Sequence, residues 1–235
     1  MGSTPTSGTV LVSIFMSRYN KKISYDFYTE SMKNWEKKGA VRQKRIFKIA
    51  GSLKNKTVLD AGCGFGYDTD AIDKKKAKVF GIDISGHIIK IAKEKYPHLS
   101  KVFFVSDIKK IPFKDNFFDL IISKYAVHYL NNPDLAFKEF FRCLKKDGIL
   151  IISVHHPMSV FFLKKSKDYF KKKEITVKIF GKIKISQPSH TLTDYLSAYF
   201  LNHFDLLYAE EKQGTCKIFK NMKIPEYLLI KAKKR

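Results

Sequence analysis

Residues 58–66 read Val-Leu-Asp-Ala-Gly-Cys-Gly-Phe-Gly, an apolar strand running into three glycines at alternate positions. That junction constrains the chain more than any other stretch. Glycine takes left-handed backbone angles at little steric cost, so the main chain can turn sharply and come close to whatever lies beyond the strand end. The next residues, Tyr67 to about Lys76, read as a helix. A strand, a glycine turn and a helix open a unit of a parallel sheet.

The rest of the chain keeps the rhythm. Thr57–Ala61, Lys78–Asp83, Val102–Ser106, Asp119–Ser123 and Ile149–Val154 read as strands 1 to 5, the last fed by an Asp147-Gly148 turn. Ser85 is placed to cap a helix running to Lys95, and Asn132 to cap one with Pro133 at its first position. Thr191-Leu-Thr-Asp194 is a capping-box start to a helix through about Asn202. Two further strands, about Asp205–Glu210 and Glu226–Lys231, close the chain. The expected fold is α/β: a Rossmann-like, doubly wound, seven-stranded sheet, mostly parallel with an antiparallel last strand. Residues 18–52 carry apolar and aromatic side chains at helical spacing and precede the sheet as N-terminal helices. Residues 157–189 are aromatic, lysine-rich and out of rhythm, and are expected to form a small helical/aromatic cap. Together with Tyr25, Tyr28 and Trp35 they are expected to cover an acceptor pocket. At 235 residues the chain fits one domain over 18–235, with 1–17 a flexible N-terminal segment or a non-native addition ahead of a natural start at Met16.

Charge is a weaker guide. The formal net charge is +23, yet only Arg18, Arg42, Arg45, Arg142 and Arg235 are arginine among the 45 basic residues. Nucleic-acid surfaces usually also use the bidentate arginine fork, so a solvated lysine coat is favoured over an RNA-binding face. Cys63, Cys143 and Cys216 are odd in number and widely spaced, which argues against a disulfide framework and for a reducing, cytoplasmic setting. No run approaches the roughly 20 apolar residues of a membrane span.

The glycine turn could serve a dinucleotide, but that pattern needs glycine where Tyr67 stands. Asp68 and Asp70 also fall in the first helical turn, where a pyrophosphate relies on positive field and free N–H groups. A cationic ligand without phosphate is favoured. Asp83, at the end of strand 2, can accept hydrogen bonds from both ribose hydroxyls of an adenosine, or can simply cap the next helix. Asp107, within Ser106-Asp107-Ile108, can accept the adenine amino group, or be an ordinary loop aspartate. Ile111-Pro112-Phe113 and Phe117-Phe118-Asp119 read as packing.

Together these residues resemble the class I S-adenosylmethionine-dependent methyltransferases, in particular the type 11 group that includes quinone-directed and small-molecule enzymes. The resemblance runs from about Thr57 to Val154, with looser echoes in Tyr25–Trp35 and Thr191–Ala209. It implies S-adenosyl-L-methionine as cofactor and S-adenosyl-L-homocysteine as product. Gly62, Cys63, Gly64 and Gly66 would lie against the methionine part, and Asp60 would orient its amino end. Asp83 and Asp107 would hold ribose and adenine, with Ile84 on the adenine, Ile108 beside Asp107 and Ser123 by the sulfonium. The sequence lacks both the Asn/Asp-Pro-Pro-Tyr/Phe motif of amino-directed nucleic-acid enzymes and the Pro-Cys nucleophile of the cytosine C5 type.

Methyl transfer from a sulfonium expels a neutral thioether, so alignment and desolvation of the acceptor can supply most of the rate. Tyr125 and His128 after strand 4, and His155 and His156 after strand 5, are the candidates near the methyl group; His128 and His156 are the candidate bases. No carboxylate or cysteine completes a metal site with His190 and its neighbours, so none is expected. The reading is a methyltransferase for an oxygen or nitrogen atom of a small molecule or short peptide. An RNA methyltransferase using the lysines of 164–184, and a cofactor-binding partner protein without turnover, are the alternatives.

Overall fold

The computed structural model describes residues 40–179, 183–212 and 223–235. Tyr25, Tyr28, Trp35 and Cys216 fall outside these residues, as do 1–17.

Helix α1 (Ala40–Ala50) leads into β1 (Thr57–Ala61), α2 (Tyr67–Asp73), β2 (Lys78–Asp83), α3 (Gly86–Lys95), β3 (Phe103–Val105) and β4 (Phe118–Lys124). Helix α4 (Asp134–Cys143) and β5 (Leu144–His155) follow. The insert is α5 (Pro157–Leu163), β6 (Glu174–Ile179) and β7 (Ile183–Pro188); α6 (Leu192–Tyr195), α7 (Ala198–His203), β8 (Phe204–Lys212) and β9 (Tyr227–Lys234) complete the order. Seven strands form one sheet in the order β3-β2-β1-β4-β5-β9-β8. β1 to β5 pair in parallel, and β9 runs antiparallel to both β5 and β8.

Side chains alternate across a strand, so a sheet covered on both faces needs apolar residues at every position. Leu59, Ile121, Leu150 and Ile152 face one core with Phe137, Phe140 and Phe200 of α4 and α7. Val58, Leu120, Ile122 and Ile151 face the other with Ile46 of α1 and Ile72 of α2. Helices on both faces and a strand order that reverses at β1 leave a crevice outside the carboxyl ends of β1 and β4, the usual ligand site of such sheets.

Local chemistry explains most boundaries. The hydroxyl of Ser85 accepts the Ile88 N–H at the start of α3, as the sequence predicts. Asn132 Oδ1 accepts the Asp134 N–H just ahead of α4, but the N-cap is Pro133 itself rather than Asn132, so the proline stands one position earlier than the sequence predicts. Thr191 N–H donates to Asp194 Oδ2 at 2.8 Å, completing the capping box. The helix expected through Asn202 is instead two short ones, because Ser197 accepts the Phe200 N–H and starts a second cap. Helix α2 stops at Asp73 rather than Lys76, which has a left-handed φ of 60°. The cap expected to be helical and aromatic is in large part a β-hairpin, with β6 and β7 paired antiparallel. Ile175 and Val177 on one strand and Ile185 on the other bury one face against Val160, an alternation of period two within a lysine-rich stretch.

Candidate active site

The glycine turn sits at the end of β1, with Gly62, Gly64 and Gly66 all at positive φ. The Gly62 and Cys63 N–H groups both donate to the Ile82 carbonyl, at 2.8 and 2.9 Å, tying the turn to the end of β2. A Cβ on Gly62 would stand 2.4 Å from Ala126 Cβ, and one on Gly66 would stand 2.7 Å from the Phe103 ring, so both positions are closed by packing. A Cβ on Gly64 would meet nothing within 4 Å. The open side of the turn is therefore at Gly64. Asp83 lies beside it. One of its oxygens accepts the Gly64 N–H at 3.1 Å and the other accepts the Ser85 N–H at 2.9 Å. Desolvation raises the Asp83 carboxyl above the ordinary aspartate range, opposed by those two N–H groups.

Asp60 is buried and accepts the Thr69 hydroxyl at 2.7 Å. Burial and the neighbouring Asp68 push its carboxyl upward; the Thr69 hydroxyl and Lys124 oppose them. Asp68 accepts the Gln43 amide at 2.9 Å and forms an ion pair with Lys124. Asp70 pairs with Lys74 at 2.7 Å. The two acids at the start of α2 are thus partnered, and the electrostatic case against phosphate is weaker than the bare sequence implies. Asp60 and Asp83 carry what remains of it.

The other sequence-predicted cofactor residues divide in two. Ile84 is 38% exposed, and Val105 59% exposed, an apolar surface beside Asp83. Asp107 accepts the Lys109 N–H at 2.9 Å through one oxygen, and its other oxygen stands 3.3 Å from Lys109 Nζ. Three residues turn inward. Ile108 is buried in the main core. Cys63 packs its thiol with Ile89, Ala92, Leu99 and Phe103, and burial raises its pKa well above the ordinary range, which leaves it inert. Ser123 is fully buried and donates its hydroxyl to the Ala61 carbonyl at 2.9 Å, which stitches β4 to β1. The side chains of these three are taken up by packing and by the internal hydrogen bond.

The candidate residues for the acceptor side stand at the ends of β4 and β5. Tyr125 has φ 58°, in the left-handed region that is uncommon for a bulky non-glycine residue. Its ring lies 5.6 Å from the His128 ring and 4.9 Å from the His155 ring, and His128 and His155 are 4.4 Å apart, centroid to centroid. His128 is fully buried, and neither ring nitrogen has a hydrogen-bond partner among the described residues. Desolvation first, then His155 and His190, drive its pKa well below the ordinary range. Burial takes His155 down to about 4.

The insert reaches into this group. Gln187 of β7 accepts from His155 Nδ1 at 3.1 Å, and His190 Nε2 donates to the His128 carbonyl at 3.2 Å. The α1 residues join both halves: Gln43 holds Asp68, while the Arg42 guanidinium stacks on Tyr125 at 4.6 Å and on Tyr227 at 4.5 Å. Sequence reasoning missed Gln43, Lys124, Arg42 and Gln187. Arg42 carried a signal, being one of few arginines in a lysine-rich chain; Gln187 carried none.

His156 is not with this group. Its Nδ1 accepts the Met158 N–H at 3.1 Å as the cap of α5, so its Nε2 carries the proton and donates to Glu211 at 2.7 Å. Both nitrogens are committed, which removes it as a candidate base. His156→Ala should cost about 1–2 kcal/mol of stability, the usual cost of losing a helix cap, with turnover at saturating substrate unchanged. Thermal melts with parallel rate measurements check this; a folded variant without turnover would return His156 to the site.

With the geometry in place, comparison with known proteins is informative. Residues 59–152, from β1 to β5, match the family model described as a methyltransferase domain. Those residues carry a methyltransferase domain, and the chain is similar to S-adenosylmethionine-dependent enzymes of that class. A protein of this class from Listeria monocytogenes superposes with a TM-score of 0.68 at 27% identity, covering 86% of this chain and 97% of that one. A malonyl-[acyl-carrier protein] O-methyltransferase of Hamiltonella defensa is 26% identical over 144 residues, 60% of this chain and 55% of that protein. A demethylmenaquinone methyltransferase of Staphylococcus aureus is 32% identical over 148 residues, 61% of this chain and 60% of that protein. The similarity therefore spans little more than half of these relatives, whose acceptors differ. The methyltransferase core is shared; the hairpin and the residues it contributes lie outside the matched 59–152.

The residues present fit the cofactor of this class. An open glycine turn at Gly64, a half-buried carboxylate at Asp83 and exposed apolar surface at Ile84 suit an amino-acid tail, a ribose and an adenine in that order. Among the described residues, no group of three His, Cys, Asp or Glu side chains stands at metal-binding spacing, and no helix is long and apolar enough to cross a membrane.

Proposed function

We propose that this chain transfers the methyl group of S-adenosyl-L-methionine to an oxygen or nitrogen atom of a small molecule or short peptide. The observation that carries this is the placement of two polar groups at the carboxyl ends of neighbouring parallel strands, β2, β1, β4 and β5. One is the Gly64–Asp83 corner; the other is the group of Tyr125, His128, His155 and Gln187, of which His128 and Gln187 are buried. The cofactor supplies an electrophilic methyl group on a good leaving group. Asp83 and Asp107 bind its adenosine part, and Asp60, through the turn it supports, orients the amino end. The acceptor-side group excludes water and aligns the nucleophile, which is where the rate comes from. The hairpin acts as the roof.

The RNA alternative is less well supported, because several insert lysines are already engaged. Lys164 is buried and donates to the Tyr169 and Lys171 carbonyls, and Lys172 pairs with Asp194.

Calorimetry should show micromolar-order binding of S-adenosylmethionine and S-adenosylhomocysteine and none of NAD. NAD binding with no response to either adenosyl compound would end this reading. Labelled methyl transfer into metabolite pools, with and without nuclease, then separates small acceptors from RNA; nuclease-sensitive labelling that falls steeply with salt would favour RNA.

A further inference from the structure

We propose that the accepting atom is a carboxylate oxygen of a small organic acid, held by the Arg42 guanidinium and converted to a methyl ester. This rests on the methyltransferase reading above and deepens it.

The argument starts at Arg42. Its guanidinium is sandwiched between the Tyr125 and Tyr227 rings at 4.6 and 4.5 Å, which fixes its plane and leaves its edges to make hydrogen bonds. Its Nε is buried without a hydrogen-bond partner among the described residues. The nearest carboxylate, Glu226, stands 3.9 Å from its terminal nitrogen, beyond hydrogen-bond reach, and is 30% exposed. A guanidinium has five donors, and one whose Nε is unpartnered among the described residues is a seat for a planar anion.

The second observation is independent of Arg42. Gln187 Nε2 and both ring nitrogens of His128 are buried and unpartnered among the described residues, in side chains at most 1% exposed. Buried polar groups are normally satisfied, and unsatisfied ones mark a place where something else binds. These groups form one chain with the arginine: Arg42 on Tyr125, Tyr125 against His155, His155 bonded to Gln187 and stacked by His128. What they offer is one cation and several N–H donors.

The group lacks an effective base. Burial holds the Tyr125 hydroxyl protonated and the His155 and His128 rings neutral. A hydroxyl or ammonium acceptor has to lose a proton, whereas a carboxylate arrives without one. In the step, one oxygen lone pair of the acid forms the new O–C bond to the methyl carbon. The C–S bond breaks, and its electron pair stays on sulfur as the neutral thioether. The negative charge of the acid and the positive charge of the sulfonium disappear together, and no proton is released.

Two measurements with the full chain test this. In the first, methyl-tritiated S-adenosylmethionine is incubated with the enzyme and a protein-free metabolite extract, and the products are treated with mild alkali. Esters release volatile methanol; ethers and methylamines do not. Most incorporated label is expected to become volatile, and alkali-stable label overturns the proposal. In the second, calorimetry with S-adenosylhomocysteine present compares hexanoate and benzoate with their amides. The acids should bind at least about tenfold tighter, and Arg42→Gln should erase the difference while the affinity for S-adenosylhomocysteine, which reports the fold, stays unchanged. Equal binding of acids and amides, or a preference that survives in Arg42→Gln, overturns it. Absence of S-adenosylhomocysteine binding sinks the cofactor reading instead, and binding with no incorporation into any product counts against turnover itself.

Discussion

Asp83→Ala should weaken S-adenosylmethionine binding roughly 10²-fold or more while leaving a folded protein. An ionised carboxylate has about four acceptor sites. Two are used inside the protein, by the Gly64 and Ser85 N–H groups, so two remain for a ribose diol. The substitution acts twice. It removes the bonds to the ligand, each charge-assisted and worth about 1.5–3 kcal/mol, and it frees the Gly64 N–H, loosening the open side of the turn. The two orphaned N–H groups should cost the fold about 1–3 kcal/mol, visible as a lower melting temperature. Asp83→Asn, which keeps an oxygen acceptor but not the charge, should fall between. Calorimetry on variants with confirmed melts gives the answer: wild-type affinity in folded Asp83→Ala would leave Asp83 as a helix cap and nothing more.

That prediction comes almost unchanged from the sequence, and the reason is local. Strand ends, the glycine turn and the Ser85 cap are set by neighbouring residues and steric rules, so β1 and β2 begin and end where the pattern places them. Side-chain direction is harder to read. Ser123 and Ile108 sit in the right loops and strands but turn into the core, because alternation along a strand and the packing of a loop are decided by what lies opposite. The insert was the least legible part. Its strands alternate within a lysine-rich stretch, and Gln187 meets His155 across 32 positions, a contact no local pattern encodes. His156 shows the same limit from the other side: a histidine after a strand reads as catalytic until the Met158 N–H and Glu211 are seen to hold both nitrogens. The acids of α2 were read correctly as present and incorrectly as unopposed, since Lys124 comes from another strand.

His128→Leu should raise stability and lower turnover at once. The wild-type ring is fully buried with neither nitrogen partnered among the described residues, and an unsatisfied buried polar group costs about 1–3 kcal/mol. Leucine fills most of the same space without that penalty, so the variant should gain about 1 kcal/mol or more, a rise of roughly 2–4 °C in melting temperature per kcal/mol for a chain of this size. The pH dependence has a definite sign. The folded-state pKa of His128 lies well below the ordinary 6.5, so the unfolded chain takes up its proton first as pH falls. Wild-type protein should therefore lose stability progressively below about pH 6.5. His128→Leu should lose less, the remainder including His155, which titrates near 4 in the folded state. Turnover should drop about 10²-fold at unchanged cofactor affinity, because an imidazole set 4.4 Å from His155 and 5.6 Å from Tyr125 aligns the acceptor even though it is held neutral. With no titrating base at His128, the rate of the wild-type enzyme should show no histidine inflection between about pH 6 and 9. Melts across pH, calorimetry and rate measurements on the one variant separate these effects. A variant that is more stable and equally active would remove His128 from the acceptor site, while one that is sharply less stable would overturn the reading of its ring as unpartnered.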